Sequence, residues 1–495
     1  MIRFTGVLIA FFLFGHSAFA GDYVYDFNSN CQKAYNEIMA LKNVEAKNTL
    51  QAELKRNPDN IIPEYLADYA DCLNLLFNGN PADLIALKEN AEKRLELVEK
   101  GPKNNPWHRF CKANINLHWA LVHLRFGENF KAAAKFRKSF LLLRENKNLY
   151  PDFKENNVLL GLEESIAGAI PDNYKWLGSV FGIKGNINNG VNKIATYLKS
   201  SPERNTPMYE EAMIYYAYLK FYLLSSQETA WKYINGGQYN EADNLLRSFI
   251  KANLALNYRK ADIALRILIK AENIREYKHF PIFHYERAEA MLLKLDFNCQ
   301  SHFQQFLKDY KGSNFSKDSW LKLAWVAYLQ QNSQRKEYCL NQLKSTGNTL
   351  TDADKQAQRF AENPVWPMPA LLEVRLFIDG GFYQNALLKI QNIDKKQLTE
   401  TANILDYNFR YGRICEELNQ AENALAFYSA TIYFGRNRKE YYAARAALHK
   451  GFIYERQEKK TEAITAFKDC LSMRNHDFQS SIDQLAKAAL NRLGN

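Results

Sequence analysis

The sequence predicts an all-α solenoid in which antiparallel pairs of helices stack along the chain. Small and aromatic residues over Tyr411–Thr431 return in the same order 39 residues later, over Lys450–Cys470. Apolar residues spaced at i, i+3, i+4 and i+7 extend from Cys31 to Leu493, and no sustained alternation of apolar and polar residues predicts a strand. A recurrence of this length is typical of a helix pair that stacks on a copy of itself.

The landmarks of this recurrence are small residues and aromatic rings. They are Gly412 and Gly451, Cys415 and Tyr454, Ala424 and Ala463, and Tyr428 and Phe467. The turn between the two helices returns as Gly237–Ala242 and Gly381–Ala386, with weaker copies centred on Ala46, Ala132, Cys299 and Cys339. These positions resemble the tetratricopeptide repeat family, in which a small residue lets two helices approach and a ring fills the wedge between units. The resemblance implies a right-handed superhelix.

The N-terminal segment Met1–Ala20 predicts a secretory signal peptide. It carries one cation, Arg3, then an apolar run over Gly6–Phe14, and it ends in the small-x-small sequence Ala18–Ala20. The apolar run is too short for a membrane span, and no cysteine stands at the cleavage point to indicate a lipoprotein. We therefore expect an exported protein, periplasmic if the source is a Gram-negative bacterium and otherwise secreted.

Composition favours a folded helical protein with a solvated surface. Hydrophobic residues make up 47% of the 495 residues, and the 29 tyrosines and 31 phenylalanines suit the wedges between repeat units. The formal net charge is +11, but lysines and acids alternate along the chain, as in Lys88–Glu96. This alternation is typical of solvated helix faces, so we expect no nucleic-acid partner.

The reactive residue types form no catalytic or metal-binding pattern. The seven cysteines include no Cys-x-x-Cys, and four of them fall at repeat-core positions where small buried side chains are expected: Cys299, Cys339, Cys415 and Cys470. A disulfide among Cys31, Cys72 and Cys111 is left open. The histidines include no pair at i, i+4, so no metal site is predicted. We expect no cofactor and no enzyme activity.

The repeat rhythm lapses between residues 150 and 195. Here Leu159–Leu162, Ile170-Pro171 and Trp176–Gly190 predict a glycine-bearing apolar helix, a proline break and a glycine-rich entry into a new helix. Over residues 157–198 this order resembles the inclusion-body-clearance, or tetratricopeptide-39-like, family, which implies an adaptor-like role. Gly182–Gly190 lacks the Lys-Ser/Thr of a phosphate loop, so we expect its glycines to cap helices.

Two polar stretches divide the chain. Ser200–Pro207 predicts a helix stop and a restart, which separates an N-terminal region, residues 21–200, from a C-terminal array, residues 201–495. Residues 346–369 interrupt the second array, although Ala353–Phe360 retains a helical pattern.

Three functions compete: a scaffold that binds a protein or peptide, a binder of an envelope glycan, lipid or cell-wall polymer, and an enzyme. We expect the scaffold, with its partner in the groove that the first helices of successive units line. The stripe beside the packing face supplies the predicted partner-binding residues. They are Phe409, Arg413, Glu416, Arg445, Leu448, Phe452, Glu455 and Arg456. Arg413 and Arg456 are expected to hold no packing position, so that replacing both with Glu leaves folding intact.

Overall fold

The structure, a computed structural model, describes residues 23–170, 185–201, 206–237 and 239–494. Over these residues the chain is a succession of α-helices without a strand, apart from one isolated bridge between Val24 and Asn60. The predicted all-α solenoid is therefore confirmed. The predicted signal peptide, residues 1–20, lies outside the described residues.

The helices follow one another with short connections. In the N-terminal half they are α1 (Ser29–Ile38), α2 (Asn43–Arg56), α3 (Ile62–Asn78), α4 (Pro81–Lys100), α5 (Pro106–Arg125), α6 (Asn129–Leu149), α7 (Asn156–Gly168), α8 (Ile187–Ser200), α9 (Tyr209–Tyr218), α10 (Gln227–Asn235) and α11 (Leu245–Asn257). In the C-terminal half they are α12 (Ala261–Ala271), α13 (Ile282–Leu292), α14 (Cys299–Asp309), α15 (Ser316–Leu329), α16 (Ser333–Ser345), α17 (Asp352–Glu362), α18 (Pro369–Gly380), α19 (Tyr383–Gln391), α20 (Thr401–Glu417), α21 (Ala421–Gly435), α22 (Tyr442–Arg456), α23 (Lys460–Ser472) and α24 (Gln479–Arg492).

Sequence neighbours make the most extensive contacts between helices, as in α5 with α6, α20 with α21, and α22 with α23. The predicted close approach of α20 and α21 occurs at Gly412, where an added Cβ would lie only 2.7 Å from the Tyr428 ring. In the next unit an added Cβ on Gly451 would collide with the Phe467 ring. A ring on the second helix thus fills the space that the missing side chain leaves on the first.

One predicted turn differs in the structure. Ala386, Ala424 and Ala463 are fully buried on second helices, as the recurrence predicts, but Ala242 is exposed and lies outside any helix. The helix after it, α11, begins only at Leu245, because Asp243 has φ +57° and the Asn244 side chain caps the backbone N–H of Arg247. The local capping signal therefore displaces this helix start.

The hydrophobic core is continuous across the boundary predicted at residue 200. One cluster of buried residues extends from Tyr25 to Leu376, and further clusters follow in the C-terminal units. Across the predicted boundary, the Tyr65 hydroxyl lies 3.9 Å from the Met208 sulfur, and the Tyr35 hydroxyl donates a hydrogen bond to Glu211. In the second polar stretch, the helical pattern at Ala353–Phe360 is confirmed by α17.

In the segment where the repeat pattern is interrupted, α7 and α8 approach each other closely at two glycines, Gly161 and Gly190. An added Cβ on Gly161 would lie 2.6 Å from the Gly190 carbonyl oxygen, and the Ser165 hydroxyl donates to the Gly161 carbonyl at 2.7 Å. The helix predicted after the glycine-rich stretch is α8, but Asn186 caps it, and Gly190, expected as a cap, lies inside its first turn against α7. Residues 171–184, which carry the centre of the predicted family signature, lie outside the described residues.

All seven cysteines are buried and unpaired. Burial confirms the packing role predicted for Cys299, Cys339, Cys415 and Cys470, which are each at most 1% exposed. No disulfide joins Cys31, Cys72 and Cys111, the pairing that the sequence left open; each thiol is buried on a different helix, α1, α3 and α5.

None of the described helices combines the length and the apolar character that a membrane span needs. Residues 212–225 lie largely in α9 and in a π-helical turn over Leu219–Leu223, with Met213 and Phe221 buried.

Candidate binding groove

A groove of about 1170 Å³ lies along the C-terminal units. Its walls come from α15, α17, α18, α20 and α22 and from the start of α24, with Arg259 from the turn before α12. We call it the arginine groove, because six arginines line it: Arg259, Arg359, Arg375, Arg410, Arg413 and Arg445. Three acids lie in the same lining, namely Asp318, Asp379 and Asp477. The lining therefore carries more positive than negative side chains.

Three of the eight predicted partner-binding residues line this groove. They are Phe409 and Arg413 on α20 and Arg445 on α22. The expectation that first helices of successive units form one wall holds for these positions, because α18, α20 and α22 each contribute side chains.

The other five predicted residues lie away from the groove lining. Leu448 is 1% exposed within the core, and the Phe452 ring packs edge-on against Phe467 with 5.4 Å between ring centres. Glu455 forms a two-pronged ion pair with Arg492 of α24, at 2.7 Å. Glu416 and Arg456 pair with each other. None of these contacts tests partner binding, which stays a prediction for all eight residues.

Arg413 is buried, contrary to the expectation that it holds no packing position. Its guanidinium group donates to Glu416 at 2.6 Å and to Glu417 at 2.5 Å, and its side chain is only 7% exposed. It also contacts the His449 ring nitrogen Nδ1 at 2.9 Å. The sequence pattern missed this role because the ion pairs at i+3 and i+4 look like those of a solvated helix face, whereas α22 covers them here.

The contacts of Arg413 fix the ionisation of its neighbours. Burial lowers the pKa of His449 to about 4, and the Arg413 charge acts in the same direction. The neutral imidazole is then able to accept a hydrogen bond from Arg413 through Nδ1. Although burial opposes it, the hydrogen bonds that Arg413 and the Tyr428 hydroxyl donate to Glu416 hold the pKa of that carboxyl far below its usual range. Glu416 and Arg413 therefore form a charged pair within this network.

Arg445 differs from Arg410 and Arg413, the two buried arginines of the groove. It is half-buried, and it forms no ion pair within the part of the chain that the structure describes. Burial lowers the pKa of Arg445, and the nearby Arg413 and Arg259 charges lower it further, with only partial compensation from Tyr441 and Asp379. A guanidinium among other guanidinium groups is an incompletely neutralised cation.

Three further arginines of the groove are paired: the buried Arg410 and the partly exposed Arg259 and Arg375. Arg410 lies 2.7 Å from Asp406 on its own helix, and Arg259 pairs with Glu417 at 2.7 Å. Arg375 approaches Asp379 at 3.5 Å and stacks over the Trp325 ring. These pairs hold the groove walls, whereas Arg445 and the exposed Arg359 have charges left for a ligand.

A sequence signal for the groove exists that the first pattern did not use. Arg375, Arg410 and Arg445 stand 35 residues apart, on three successive first helices. The 39-residue register of Gly412 and Gly451 describes how each first helix packs on its own second helix. That register carries Phe409 to the buried Leu448, whereas Arg445, predicted alongside it, lies about one turn nearer the N-terminus of α22 and lines the groove.

Aromatic rings accompany the charges along the groove. Trp325, Phe360, Tyr441 and Phe478 line it, and Phe478 is 50% exposed. Next to Phe478, the His476 ring is 9% exposed, and its Nε2 atom has no hydrogen-bond partner among the described residues. The groove thus combines cations with apolar ring faces.

No protein-family model and no curated protein matches the chain. Several solved structures do. A human IFIT1 dimer with m7Gppp-AAAA is 12% identical, with 96% of this chain and 92% of that chain covered and a TM-score of 0.29. The TPR domain of P58(IPK) is 14% identical over 85% of this chain and 97% of that chain, with a TM-score of 0.21. Yeast Tom70 is 12% identical over 94% and 88%, with a TM-score of 0.25. At these scores the likeness reaches no further than a helical-repeat architecture.

Proposed function

We propose that this protein is a non-catalytic scaffold that binds an acidic segment of another protein in the arginine groove. The observation that carries the proposal is Arg445, a half-buried guanidinium with cationic neighbours and no ion pair among the described residues. Carboxylates of a bound peptide supply the charge that the groove lacks. Arginine binds carboxylates with two parallel hydrogen bonds, which gives both affinity and orientation.

The rings of the groove define the second property of the partner. Trp325 and Phe360 lie beside Arg375 and Arg359, so an apolar side chain between two acids has a surface to pack on. A partner segment that alternates acidic and apolar residues matches this arrangement. Charged side chains line the groove together with the rings, which favours a protein partner over an envelope glycan.

The scaffold is proposed to act in an exported compartment, on the support of the signal-like sequence Met1–Ala20. N-terminal sequencing of the mature protein tests this point, with Gly21 as the expected first residue. The likeness of residues 157–198 to the inclusion-body-clearance family supports an adaptor-like role and stays a prediction.

The test uses affinity capture from an envelope extract with three immobilised forms of the protein. These are the natural protein, Arg445→Ala, and Arg266→Ala as the control, since Arg266 is exposed on α12 and lies outside the groove lining. Proteins recovered by the first and third forms but lost with the second are groove ligands. Short peptides from the recovered proteins are then measured by fluorescence anisotropy, with acidic residues present or replaced by lysine.

We expect acidic peptides to bind. Arg445→Ala should weaken their binding by about 1.5–3 kcal/mol, the usual contribution of a hydrogen bond to a charged group. Arg266→Ala should leave binding unchanged. Equal binding of the lysine-substituted peptides, or unchanged binding with Arg445→Ala, would exclude the proposal. A single-stranded RNA that competes for the groove more tightly than the peptides would identify a nucleic-acid partner and exclude a protein one.

A further inference from the structure

A second, chemically different cavity lies in the N-terminal half of the chain. It has a volume of about 470 Å³, within the usual range for small-molecule sites. Most of its lining is apolar or aromatic, with Tyr69 and Phe77 from α3, Tyr215 and Tyr218 from α9, and Phe249 from α11. We call it the acidic pocket, because two carboxylates, Glu211 of α9 and Glu286 of α13, lie in this lining.

Glu211 is buried and only half satisfied. It is 1% exposed; its Oε2 atom accepts a hydrogen bond from the Tyr35 hydroxyl, and its Oε1 atom has no hydrogen-bond partner among the described residues. The nearby Tyr69 hydroxyl also lowers the pKa of Glu211. A buried carboxylate oxygen without a partner is costly unless a ligand supplies one.

Glu286 is the second carboxylate of the pocket. It is 6% exposed, and its Oε1 atom accepts a hydrogen bond from the Asn253 amide at 2.9 Å. The Asn253 carbonyl oxygen in turn accepts from the Tyr218 hydroxyl at 3.1 Å. This chain orients Glu286 from one side and adds no positive charge.

No cation of the described chain forms an ion pair with either carboxylate. Arg125 also lines the pocket, but its guanidinium donates to the Tyr310 hydroxyl at 2.5 Å and stacks on the Phe315 ring. His118 is engaged by Asp68 at 2.8 Å. The acids of the pocket are therefore left without a counter-charge.

The surroundings of both carboxylates act on their ionisation in the same way. Burial raises the pKa of Glu211 to about 7, with Glu210 adding to the rise, and the Tyr35 hydroxyl opposes it. Burial raises the pKa of Glu286 to about 7 as well, with Glu289 adding to the rise, while Asn253 and Lys322 oppose it. Both groups are thus close to half-protonated near neutral pH when the pocket is empty.

We propose that the acidic pocket binds a small amphipathic organic cation, whose ammonium group pairs with Glu211 and Glu286 and whose apolar body packs on the surrounding rings. Charge complementarity selects an amine, because the unpartnered Glu211 oxygen needs a donor and because Arg125, the cation in the lining, forms no ion pair with either carboxylate. The tyrosine faces add cation–π attraction. This site is separate from the arginine groove and does not rest on its function.

The probe is octylamine, compared with 1-octanol and octanoate, which share its chain and differ in charge. Isothermal titration calorimetry on the full chain measures each affinity near neutral pH. We expect octylamine to bind at least about tenfold more tightly than either analogue. Octanol or octanoate binding as tightly as octylamine would overturn the proposal, since the chain alone would then account for affinity.

The variants separate charge from fold. Glu211→Gln combined with Glu286→Gln keeps the side-chain shapes and removes both charges. We expect this double variant to bind octylamine at least about tenfold more weakly than the natural protein. Glu422→Gln, at an exposed position on α21, is the control and should have no effect. Unchanged octylamine affinity in the double variant would overturn the proposal.

A measurement on the unaltered protein serves if the double variant does not fold. An ammonium group favours the charged carboxylates, so binding near pH 7 should release protons. Titrations in phosphate and in HEPES, which differ in ionisation enthalpy, report that release as a difference in apparent binding enthalpy. Equal enthalpies in the two buffers would overturn the proposal.

Discussion

The Glu416 carboxylate accepts a hydrogen bond from Arg456 at 2.7 Å and so joins the first helices of two consecutive units. The same carboxylate accepts from the Tyr428 hydroxyl at 2.7 Å and from Arg413 at 2.6 Å. One side chain thus links α20, α21 and α22. The contact identifies Glu416 and Arg413 as parts of the joint between units.

Replacing Arg413 with Ala should destabilise the protein strongly. The change removes the cation from a buried network and leaves Glu416 and Glu417 without it, which typically costs about 3–5 kcal/mol. Arg456→Ala, whose side chain is 59% exposed, should cost under about 1 kcal/mol. Urea unfolding followed by circular dichroism measures both. Equal losses of unfolding free energy in the two variants would show that the burial of Arg413 does not make its ion pairs more stabilising than those of Arg456.

Gly451→Ala should also destabilise, because the added methyl group collides with the Phe467 ring. Overpacking of this kind costs about 1–3 kcal/mol. The control is Gly237→Ala, where an added Cβ has no neighbour within 4 Å. Combining Gly451→Ala with Phe467→Leu should make the added methyl group less costly than it is in the natural background. Thermal unfolding of the single and double variants measures the difference. If the smaller side chain recovers none of this cost, the ring is not the source of the strain.

Glu53 should stabilise the N-terminal region at neutral pH and lose that effect in acid. Although burial opposes it, hydrogen bonds from Asn28, Asn30, Asn57 and Asn60 lower the pKa of Glu53 to about 2. Because the folded-state pKa lies below the unfolded value, the contribution is present above about pH 4.3 and disappears as the pH falls toward 2. Glu53→Gln should therefore cost about 1–3 kcal/mol at neutral pH and progressively less below pH 4.3. A cost that does not change with pH would contradict this assignment.

Glu163 should have the opposite pH dependence. It is fully buried on α7 with neither carboxylate oxygen hydrogen-bonded among the described residues, and burial raises its pKa well above the usual range. A raised folded-state pKa contributes stability below about pH 4.3 that is lost as the pH rises. The unfolding free energy of Glu163→Gln, relative to that of the natural protein, should therefore be higher at pH 8 than at pH 5 by at least about 1 kcal/mol. Urea unfolding at both pH values measures the gain, with the exposed Glu422→Gln as the variant that should show none.

Cys299→Ala and Cys470→Ala should be tolerated. Both thiols are fully buried and unpaired at positions where other units place a small residue. The cost of each should stay near 1 kcal/mol, against about 3–5 kcal/mol for Phe467→Ala, which removes a whole ring from the same wedge. Melting temperatures of the three variants give the comparison, and a loss for Cys470→Ala as large as that for Phe467→Ala would assign the thiol more than packing.

The sequence by itself determined the helical class and most of the repeat positions. Gly412, Gly451 and Phe467 could be placed from spacing alone, because the contact of a helix with its sequence neighbour depends on residues within one unit. The burial of Cys299 and Cys470 followed for the same reason. The turn at Ala242 was misplaced since an asparagine cap competes with the repeat signal.

Only the tertiary structure decided which side chains meet across units. Arg375, Arg410 and Arg445 converge on one groove because successive first helices stack side by side, and spacing within one helix does not report that direction. Arg413 looked like a surface cation until α22 covered it. Glu211 and Glu286 stand 75 residues apart in the chain and share a pocket because α9 and α13 both face it. Burial against distant helices, which a local pattern does not contain, raises the pKa of Glu211 and of Glu286.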